Sequence, residues 1–487
     1  NHPMTKYLTR LFALLICIFT SIQLIAQEDT AGFPVITPEN VTDLELGYAL
    51  PDVCDGYDPT GDYIQTFAGT YEIATGERVA PNGMFSPDVS TLVFRGGNIY
   101  DFPSGDLRFS TNGYNTTLSP DGRYVHAMQD GVYDANTGER LYDLPQFIRF
   151  SSTGAYIYVD EKGVYETSTG DAVIPDPVNA QSSYWYYSFS PDDRYFINEL
   201  ELTIFDLDNR EYILDIEPSE PTTSTAFSPD SSYVAIGDKG VYSLLDGEQV
   251  LASDGSRTNF SPDGTLIAFD GDAVYEVGTW REVITLEQGN GSPRFTADNQ
   301  YLHIFSWGAY HTPTGNFFAI DDRGSSTNLS PNGDLLIDTD NGIYDLATFD
   351  KLVTFDFEVT SFPGLRVIPF NTSQTILARS YDNRTYSQGV YSVCLVYGVE
   401  GADWAYRSGL VTAENAIPVY NAPNGEEITE MSDMLVVFSQ TEDGAWYRVS
   451  VDGAVDLDLE PAPLWVRADD VIPISMPEGI PIEDPNA

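Results

Sequence analysis

Eight copies of one short motif run through the middle of this chain, and their regular spacing limits the fold more than any other feature. In each copy a bulky apolar residue precedes Ser-Pro-Asp or a close variant, and successive copies are 32 to 39 residues apart. An aromatic residue follows that apolar residue by 15 or 16 positions, usually within a Val-Tyr or Ile-Tyr pair. The apolar residues are Phe85, Leu118, Phe150, Phe189, Phe227, Phe260, Phe295 and Leu329. Such a repeat predicts one small structural unit used many times.

The residues of one unit predict four short strands. In "SPDG" (119–122) the proline presets φ for a turn, the aspartate can accept hydrogen bonds from the following backbone, and the glycine can adopt a positive φ. The run after the turn, such as "TLIAF" (265–269), is short and rich in β-branched and aromatic residues, which favours a strand. A "GVYD" strand, a "TG" turn and a final strand complete the unit. We therefore expect a small antiparallel sheet.

A sheet of four short strands cannot cover its own apolar faces, so neighbouring units must stack against each other. Closing the stack into a ring leaves no apolar end exposed, which is the β-propeller solution. Two weaker units flank the eight, one around Tyr57 and Tyr71 and one around Phe370 and Tyr391. We predict an all-β fold in which residues 45–400 form a single β-propeller, with eight blades favoured and up to ten allowed.

The repeat also resembles a known family. "FSPDG" followed by a strand and then "VYD…TG" is similar to the WD40-like propeller repeats, in which an "fSPDG" turn joins two strands and an "iwD…tG" segment forms the next. The resemblance covers about 350 residues. It departs from the standard pattern where Glu166, Ser243 and Glu276 replace the aspartate, where tyrosine replaces tryptophan, and in the absence of the Gly-His pair. These departures favour the looser bacterial versions of the repeat.

The pattern changes after Gly409. Residues 409–472 contain five short strand-like runs separated by Pro, Asn and Gly turns, which predicts a small barrel. This segment resembles the bacterial SH3 domain at Val411 to Ala413, Val419, Pro423, Ile428, Val436, Trp446 to Val449 and Trp465-Val466. Some members of that family bind cell-wall peptide, although Tyr420 stands here in place of the usual arginine. Residues 473–487, rich in proline and acid, are predicted to be a flexible tail.

Two features predict the compartment. Residues 1–26 read as a secretory signal peptide, with a basic start at Lys6 and Arg10 followed by a short apolar run, and no later run is apolar for long enough to span a membrane. In an oxidising compartment Cys54 and Cys394 are candidates for one disulfide, because ring closure would make the first and last units neighbours. We expect a secreted, extracellular or periplasmic protein associated with the cell envelope.

The charge excludes some partners. The 487 residues carry a formal net charge of −51, which repels nucleic acid phosphates and anionic lipid heads. We therefore expect a soluble monomer that binds a protein or a cell-envelope polymer and binds neither nucleic acid nor membrane. The simplest interpretation of the acidity is a solvated coat.

Little in the sequence points to catalysis. Apart from the predicted signal peptide, histidine occurs only as His126, His303 and His311, and no HExxH, GxSxG, CxxC, P-loop or GxGxxG motif is present. Acidic groups such as "DTDNG" (338–342), "DGD" (270–272) and "DLDLE" (456–460) could bind calcium, but turns need the same residues. We therefore expect no catalytic residue and no cofactor, with Ca²⁺ as the weaker alternative.

The resulting hypothesis is a secreted, non-catalytic binding scaffold, whose propeller contacts a protein or envelope ligand and whose SH3-like module tethers it. The ligand-contact candidates are Tyr184, Trp185, Tyr186, Tyr187, Trp446 and Trp465. The alternative for the four consecutive aromatics is a first strand with alternate faces buried, and for the two tryptophans it is the barrel core. The rival function is a carboxylate-dependent hydrolase or lyase at the propeller channel, which would require at least three convergent carboxylates.

Overall fold

A computed structural model describes most of the chain. The described residues are 33–51, 54–94, 96–160, 162–174, 187–199, 201–216, 224–286, 291–305, 307–319, 327–338, 342–354, 367–368, 370–382, 392–399, 409–450, 464–475, 480 and 482. They form strands with two short 3-10 helices, Val41–Asp43 and Ala468–Asp470. Among them no helix is long and apolar enough to cross a membrane.

Ten four-stranded antiparallel sheets make up the described part of the repeat region, and they are numbered here along the chain. Sheet 1 contains β1 (Leu44–Pro51), β38 (Val367–Ile368), β39 (Leu377–Asp382) and β40 (Ser392–Val399). Sheet 2 contains β2 (Cys54–Tyr57), β3 (Tyr63–Thr66), β4 (Gly69–Glu72) and β5 (Arg78–Ala80). Sheet 3 contains β6 (Met84–Phe85), β7 (Thr91–Val93), β8 (Asn98–Asp101) and β9 (Leu107–Ser110). Sheet 4 contains β10 (Tyr114–Leu118), β11 (Tyr124–Met128), β12 (Gly131–Asp134) and β13 (Arg140–Asp143).

The next three sheets have the same order. Sheet 5 contains β14 (Ile148–Phe150), β15 (Tyr156–Val159), β16 (Gly163–Glu166) and β17 (Ala172–Ile174). Sheet 6 contains β18 (Tyr187–Phe189), β19 (Tyr195–Asn198), β20 (Thr203–Asp206) and β21 (Glu211–Asp215). Sheet 7 contains β22 (Thr225–Phe227), β23 (Tyr233–Ile236), β24 (Gly240–Ser243) and β25 (Gln249–Leu251).

Three further sheets complete the array. Sheet 8 contains β26 (Thr258–Phe260), β27 (Leu266–Phe269), β28 (Ala273–Glu276) and β29 (Arg281–Thr285). Sheet 9 contains β30 (Pro293–Phe295), β31 (Tyr301–Ile304), β32 (Gly308–His311) and β33 (Asn316–Ala319). Sheet 10 contains β34 (Thr327–Leu329), β35 (Leu335–Asp338), β36 (Gly342–Asp345) and β37 (Lys351–Thr354).

The Ser-Pro-Asp turn joins the first two strands of a sheet through side-chain hydrogen bonds. The Ser119 hydroxyl donates to the Asp121 carboxylate at 2.6 Å and accepts from the amide of Tyr124 at 2.9 Å. Gly122 follows with φ +74°, a conformation that residues with a Cβ rarely adopt. The serines of sheets 6, 7 and 8 make the same pair of bonds. In these four sheets the turn is therefore encoded within the repeat itself.

The apolar core is divided into layers, one between each pair of neighbouring sheets. The layer between sheets 3 and 4, for example, contains Val93 and Ile99 on one side and Leu118 and Val125 on the other. Corresponding clusters lie at every successive contact from sheet 1 to sheet 10. Another cluster joins sheet 10 to sheet 1, so the layers return to their start. The fold is an all-β propeller, and the stacking buries both faces of each sheet.

Sheet 1 closes the ring with strands from both ends of the array. The N-terminal strand β1 pairs antiparallel with β40, from Leu44 opposite Val399 to Pro51 opposite Val393. Cys54 of sheet 2 and Cys394 of sheet 1 form the disulfide proposed from the sequence, with Cα atoms 4.9 Å apart and no exposed surface on either residue. The closing sheet is therefore covalently bonded to its neighbour.

The ten described sheets equal the upper number that the repeats allowed and exceed the eight that we favoured. The two additional sheets are sheets 1 and 2, whose turns use a different residue in place of serine. In sheet 2 the carboxylate of Asp58 accepts from the amide of Tyr63 at 2.7 Å. In sheet 1 the side-chain oxygen of Asn371 accepts from the amide of Ile376 at 2.9 Å. Both turns keep this hydrogen bond but lack the Ser-Pro-Asp motif. A count of the motif therefore gives fewer units than the structure contains.

A five-stranded sheet follows the propeller. It contains β41 (Gly409–Tyr420), β42 (Glu427–Gln440), β43 (Trp446–Ser450), β44 (Leu464–Arg467) and β45 (Ile472–Ser475). Because β41 pairs with both β42 and β44, the pairing returns on itself around a core that includes Val419, Leu435 and Val466. The predicted tail is not wholly flexible, since Ile480 is 5% exposed and packs into that core. The SH3 resemblance of this segment stays a prediction.

Candidate functional site

The propeller has two ends with different connections. At one end the Ser-Pro-Asp turns join the first and second strands and the Thr-Gly turns join the third and fourth, and we call this the turn end. At the other, the linker end, short turns join the second and third strands, and the chain passes from the fourth strand of one sheet to the first strand of the next. Loops at the ends of such rigid sheets are the usual location of binding residues.

Large apolar side chains are exposed at the linker end on sheets 2, 4 and 5. Phe67 is 49% exposed in the second turn of sheet 2. Tyr114 begins sheet 4 and Phe147 immediately precedes sheet 5, and each is 42% exposed. We call Phe67, Tyr114 and Phe147 the exposed arc. Because burial of such side chains is favourable, an arrangement of this kind is typical of an interaction surface.

A pocket lies beside the exposed arc, between sheets 5 and 6. Sheet 5 supplies Tyr158 and the backbone around Gly163, while sheet 6 supplies Tyr187, Phe196 and Glu201. Asn198, Thr203, Phe205 and Tyr212 complete the sheet 6 side, and Val164 and Ile174 complete the sheet 5 side. The space not occupied by atoms is about 400 Å³, including the solvent at the mouth. We call this the sheet 5–6 pocket.

Aromatic rings form most of the wall of the sheet 5–6 pocket. Tyr158 and Tyr187 are stacked with ring centroids 4.1 Å apart, and each lies 5.7 Å from the ring of Phe196. Phe205 meets Tyr212 edge to face at 5.0 Å. The first three rings are nearly buried, whereas Tyr212 is 53% exposed at the mouth. The pocket therefore offers a rigid aromatic surface that solvent reaches from one side.

One carboxylate lies among these rings. Glu201 is in the turn between β19 and β20, and its pKa is raised by burial and by the negative charge of Asp215. Its charge also raises the pKa of Tyr212, after the larger effect of burial, so the carboxylate and that ring are close. Among the described residues, none donates a hydrogen bond to this carboxylate or forms an ion pair with it.

The three histidines serve the structure. His126 is 2% exposed and its Nε2 lies 2.9 Å from the carbonyl oxygen of Leu144. His303 is equally buried, with Nε2 2.5 Å from the Thr327 hydroxyl, and burial together with the charge of Arg294 lowers its pKa to about 4. His311 contacts the Thr314 hydroxyl at 2.8 Å within a turn.

The turn aspartates are also used structurally. Burial alone would raise the pKa of Asp263, but hydrogen bonds from the Thr265 amide and from the Ser261 and Thr265 side chains hold it at about 2. Asp272, from the "DGD" sequence, accepts from the Ser253 hydroxyl at 2.6 Å and from Tyr275 at 3.1 Å. No group of three or more metal-binding side chains occurs among the residues that the structure describes. Residues 339–341 and 456–460 lie outside that part of the chain.

The predicted contact residues have different outcomes. Tyr184, Trp185 and Tyr186 lie outside the described residues, as does the predicted signal peptide. Tyr187 is 4% exposed because it begins β18 and stacks between sheets 5 and 6. This placement agrees with the alternative of a first strand.

The two tryptophans do not form exposed platforms. Trp446 is 6% exposed and Trp465 is 2% exposed. Trp446 packs edge to face on Tyr420 at 5.1 Å, and the guanidinium of Arg467 covers both rings at 5.4 and 5.6 Å from their centroids. Both rings belong to the face of β43 and β44 opposite the apolar core, since Tyr447, Val449 and Val466 form the core face of these strands.

The sequence motifs did not indicate Tyr158, Phe196 and Glu201 as site residues, although the spacing between the motifs contained a signal. The two longest intervals between motifs, 39 and 38 residues, flank the motif of sheet 6. The position of Phe196 is aliphatic in the other nine sheets, for example Ile157 in sheet 5 and Val234 in sheet 7. Long insertions beside an unusual aromatic would have indicated this interface.

Comparison with known proteins adds little. No family model matches the chain, and no curated protein matches it. One solved structure, titled "Crystal Structure of Mitotic Checkpoint Complex", contains a chain that is similar over 62% of this chain and 98% of that chain, with 12% identity and a TM-score of 0.29. A likeness at this level carries no argument about function.

Proposed function

We propose that this protein is an exported, non-catalytic scaffold that binds a protein partner through the linker end of its propeller. The exposed arc is the observation that carries the proposal, because it places Phe67, Tyr114 and Phe147 at one end of the propeller, on sheets 2, 4 and 5. A ring stabilised by ten layers of core holds these side chains in fixed relative positions, so little conformational entropy is lost when a partner binds.

The charge of the chain supports a basic partner. A formal net charge of −51 attracts cationic surfaces at long range and increases the rate of encounter, while the apolar side chains provide the short-range contact. The predicted signal peptide and disulfide support export, and the C-terminal sheet would serve as the tethering module. These parts of the proposal depend on the sequence resemblance and on the oxidising compartment that a disulfide requires.

The exposed arc is tested by substitution at the two ends of the ring. One variant carries Phe67→Ser, Tyr114→Ser and Phe147→Ser, and the matched control carries Leu245→Ser, since Leu245 is 88% exposed at the turn end. Proteins retained from an envelope extract by the wild-type chain are identified, purified and titrated against all three forms. We expect the arc variant to bind at least about tenfold more weakly and the control to bind unchanged.

The same extract separates binding from catalysis. Loss of binding in both variants or in neither would contradict the assignment to the linker end. Turnover of an extract polymer by the wild-type chain would favour a hydrolase or lyase instead. Unfolding curves of the variants establish that the substitutions leave the fold intact.

A further inference from the structure

The sheet 5–6 pocket combines two features that together define a class of ligand. Its wall presents the faces and edges of aromatic rings, whose faces carry negative electrostatic potential. Tyr212 is 53% exposed at the mouth, while Tyr158, Tyr187 and Phe196 form a stacked, nearly buried floor. Such walls bind an apolar group, and they also bind an organic cation.

The carboxylate of Glu201 distinguishes between these two kinds of ligand. It lies in the wall with Tyr212, and Asp215 is the other charged group that acts on it. The two cationic side chains of sheet 5 do not bind this carboxylate. The Arg149 guanidinium donates to the carbonyl oxygen of Tyr187 at 2.6 Å, and Lys162 is exposed. Negative charge in the pocket is therefore not neutralised by a described side chain.

We propose that the sheet 5–6 pocket binds a guanidinium or ammonium group, with Glu201 supplying the charge and Tyr212 the aromatic face. The binding group belongs to an arginine or lysine side chain of the protein partner. This assignment of the source rests on the proposed function, since the exposed arc and the pocket both lie at the linker end. The geometry of the pocket itself does not depend on that function.

Two small probes test the charge requirement directly. N-acetyl-arginine amide carries the guanidinium, and N-acetyl-citrulline amide has nearly the same shape without the charge. Each is titrated into the full chain, and saturable chemical-shift or tyrosine-fluorescence changes are recorded. We expect the arginine probe to bind at least about fivefold more tightly than the citrulline probe.

Three variants locate the site. Glu201→Gln removes the charge with little change of shape and is expected to weaken the arginine probe at least about fivefold while leaving the citrulline probe unchanged. Tyr212→Ala removes the ring at the mouth and is expected to weaken both probes. Glu211→Gln is the matched control, because Glu211 is an exposed carboxylate next to Tyr212 and does not line the pocket. Thermal unfolding of each variant excludes loss of the fold as the cause.

The outcomes separate this inference from the proposed function. Equal binding of both probes would show an apolar pocket, and absence of saturable binding by either would show no pocket for this group; each result overturns the inference. In both cases the exposed arc could still bind a partner. Conversely, the arc variant is expected to bind the arginine probe as the wild-type chain does. If that variant no longer binds the partner, the loss is therefore due to the exposed arc and not to the pocket.

Discussion

At the scale of single residues, buried polar side chains connect three of the sheets to the sheet that follows. Gln65, His126 and His303 occupy the same position in the second strands of sheets 2, 4 and 9. The amide of Gln65 donates to the carbonyl oxygen of Gly83 at 2.8 Å, just before sheet 3. The two histidines bond in the same way to the segment that leads to the following sheet or begins it. Loss of such a bond leaves a buried polar group unsatisfied, at a cost of about 1 to 3 kcal/mol.

The protonation of His303 is expected to destabilise the propeller at acidic pH. Its pKa is about 4 in the folded chain, because of burial and Arg294, against about 6.5 when unfolded. The folded state therefore favours the neutral form, and this stabilisation is present above about pH 6.5 and is lost as the pH falls towards 4, a change on the order of 3 kcal/mol.

The variant His303→Gln isolates this effect, because glutamine occupies the same position as Gln65 and does not titrate. Denaturant unfolding at about pH 7.5 and about pH 4.5 should show a smaller loss of stability for the variant than for the wild-type chain. Equal losses in the two proteins would exclude His303 as the source of the pH dependence.

At the scale of the element, one turn obtains its carboxylate from a neighbouring sheet. The turn of sheet 5 has the sequence Ser-Ser-Thr-Gly, so Thr153 stands where the turns of sheets 3, 4, 6, 7, 8 and 9 have aspartate. Asp193 of sheet 6 accepts from the hydroxyls of Ser151 and Thr153, both at 2.5 Å, and is itself 4% exposed. The hydrogen bonds that are local in the other turns here join sheets 5 and 6, which also enclose the sheet 5–6 pocket.

Substitution of Asp193 is expected to weaken this interface. Asp193→Ala leaves two hydroxyls without their acceptor and should lower the free energy of unfolding by about 2 kcal/mol. Adding Thr153→Asp restores a carboxylate within the turn, as in "SPDG", and should recover part of that loss. Chemical denaturation of the single and double variants measures both effects. Additive destabilisation in the double variant would contradict the assigned role.

At the scale of the whole molecule, closure of the ring depends on sheet 1. That sheet combines β1 with three strands from the other end of the repeat array, and the Cys54–Cys394 disulfide bonds it to sheet 2. The two cysteines are 340 positions apart, so the crosslink restricts a very long loop in the unfolded chain. On the chain-entropy model this stabilises the fold by at most about 5 to 6 kcal/mol.

Removal of the disulfide is expected to destabilise the closing sheet first. The variant Cys54→Ala with Cys394→Ala should unfold at lower denaturant concentration, with a loss of up to about 5 kcal/mol. Hydrogen exchange should accelerate earliest in β1 and β38–β40, because opening the ring separates those strands from β2. A reductant should lower the stability of the wild-type chain similarly and leave the variant unaffected. An unchanged midpoint would show that strand pairing alone closes the ring.

The sequence by itself determined the repeated sheet, its turns, the ring and the pairing of Cys54 with Cys394. These features depend on short-range chemistry that is written into every unit, such as the bond from the Tyr124 amide to Ser119, and on the apolar faces that force neighbours to stack.

Only the tertiary structure decided which aromatics are exposed. Tyr187, Trp446 and Trp465 are buried, whereas the exposed arc lies at one end of the ring and the sheet 5–6 pocket lies where two sheets meet. The reason is that burial of a side chain depends on the strands that pack against it, and those strands are distant in the chain, as Tyr158 is 29 positions before Tyr187.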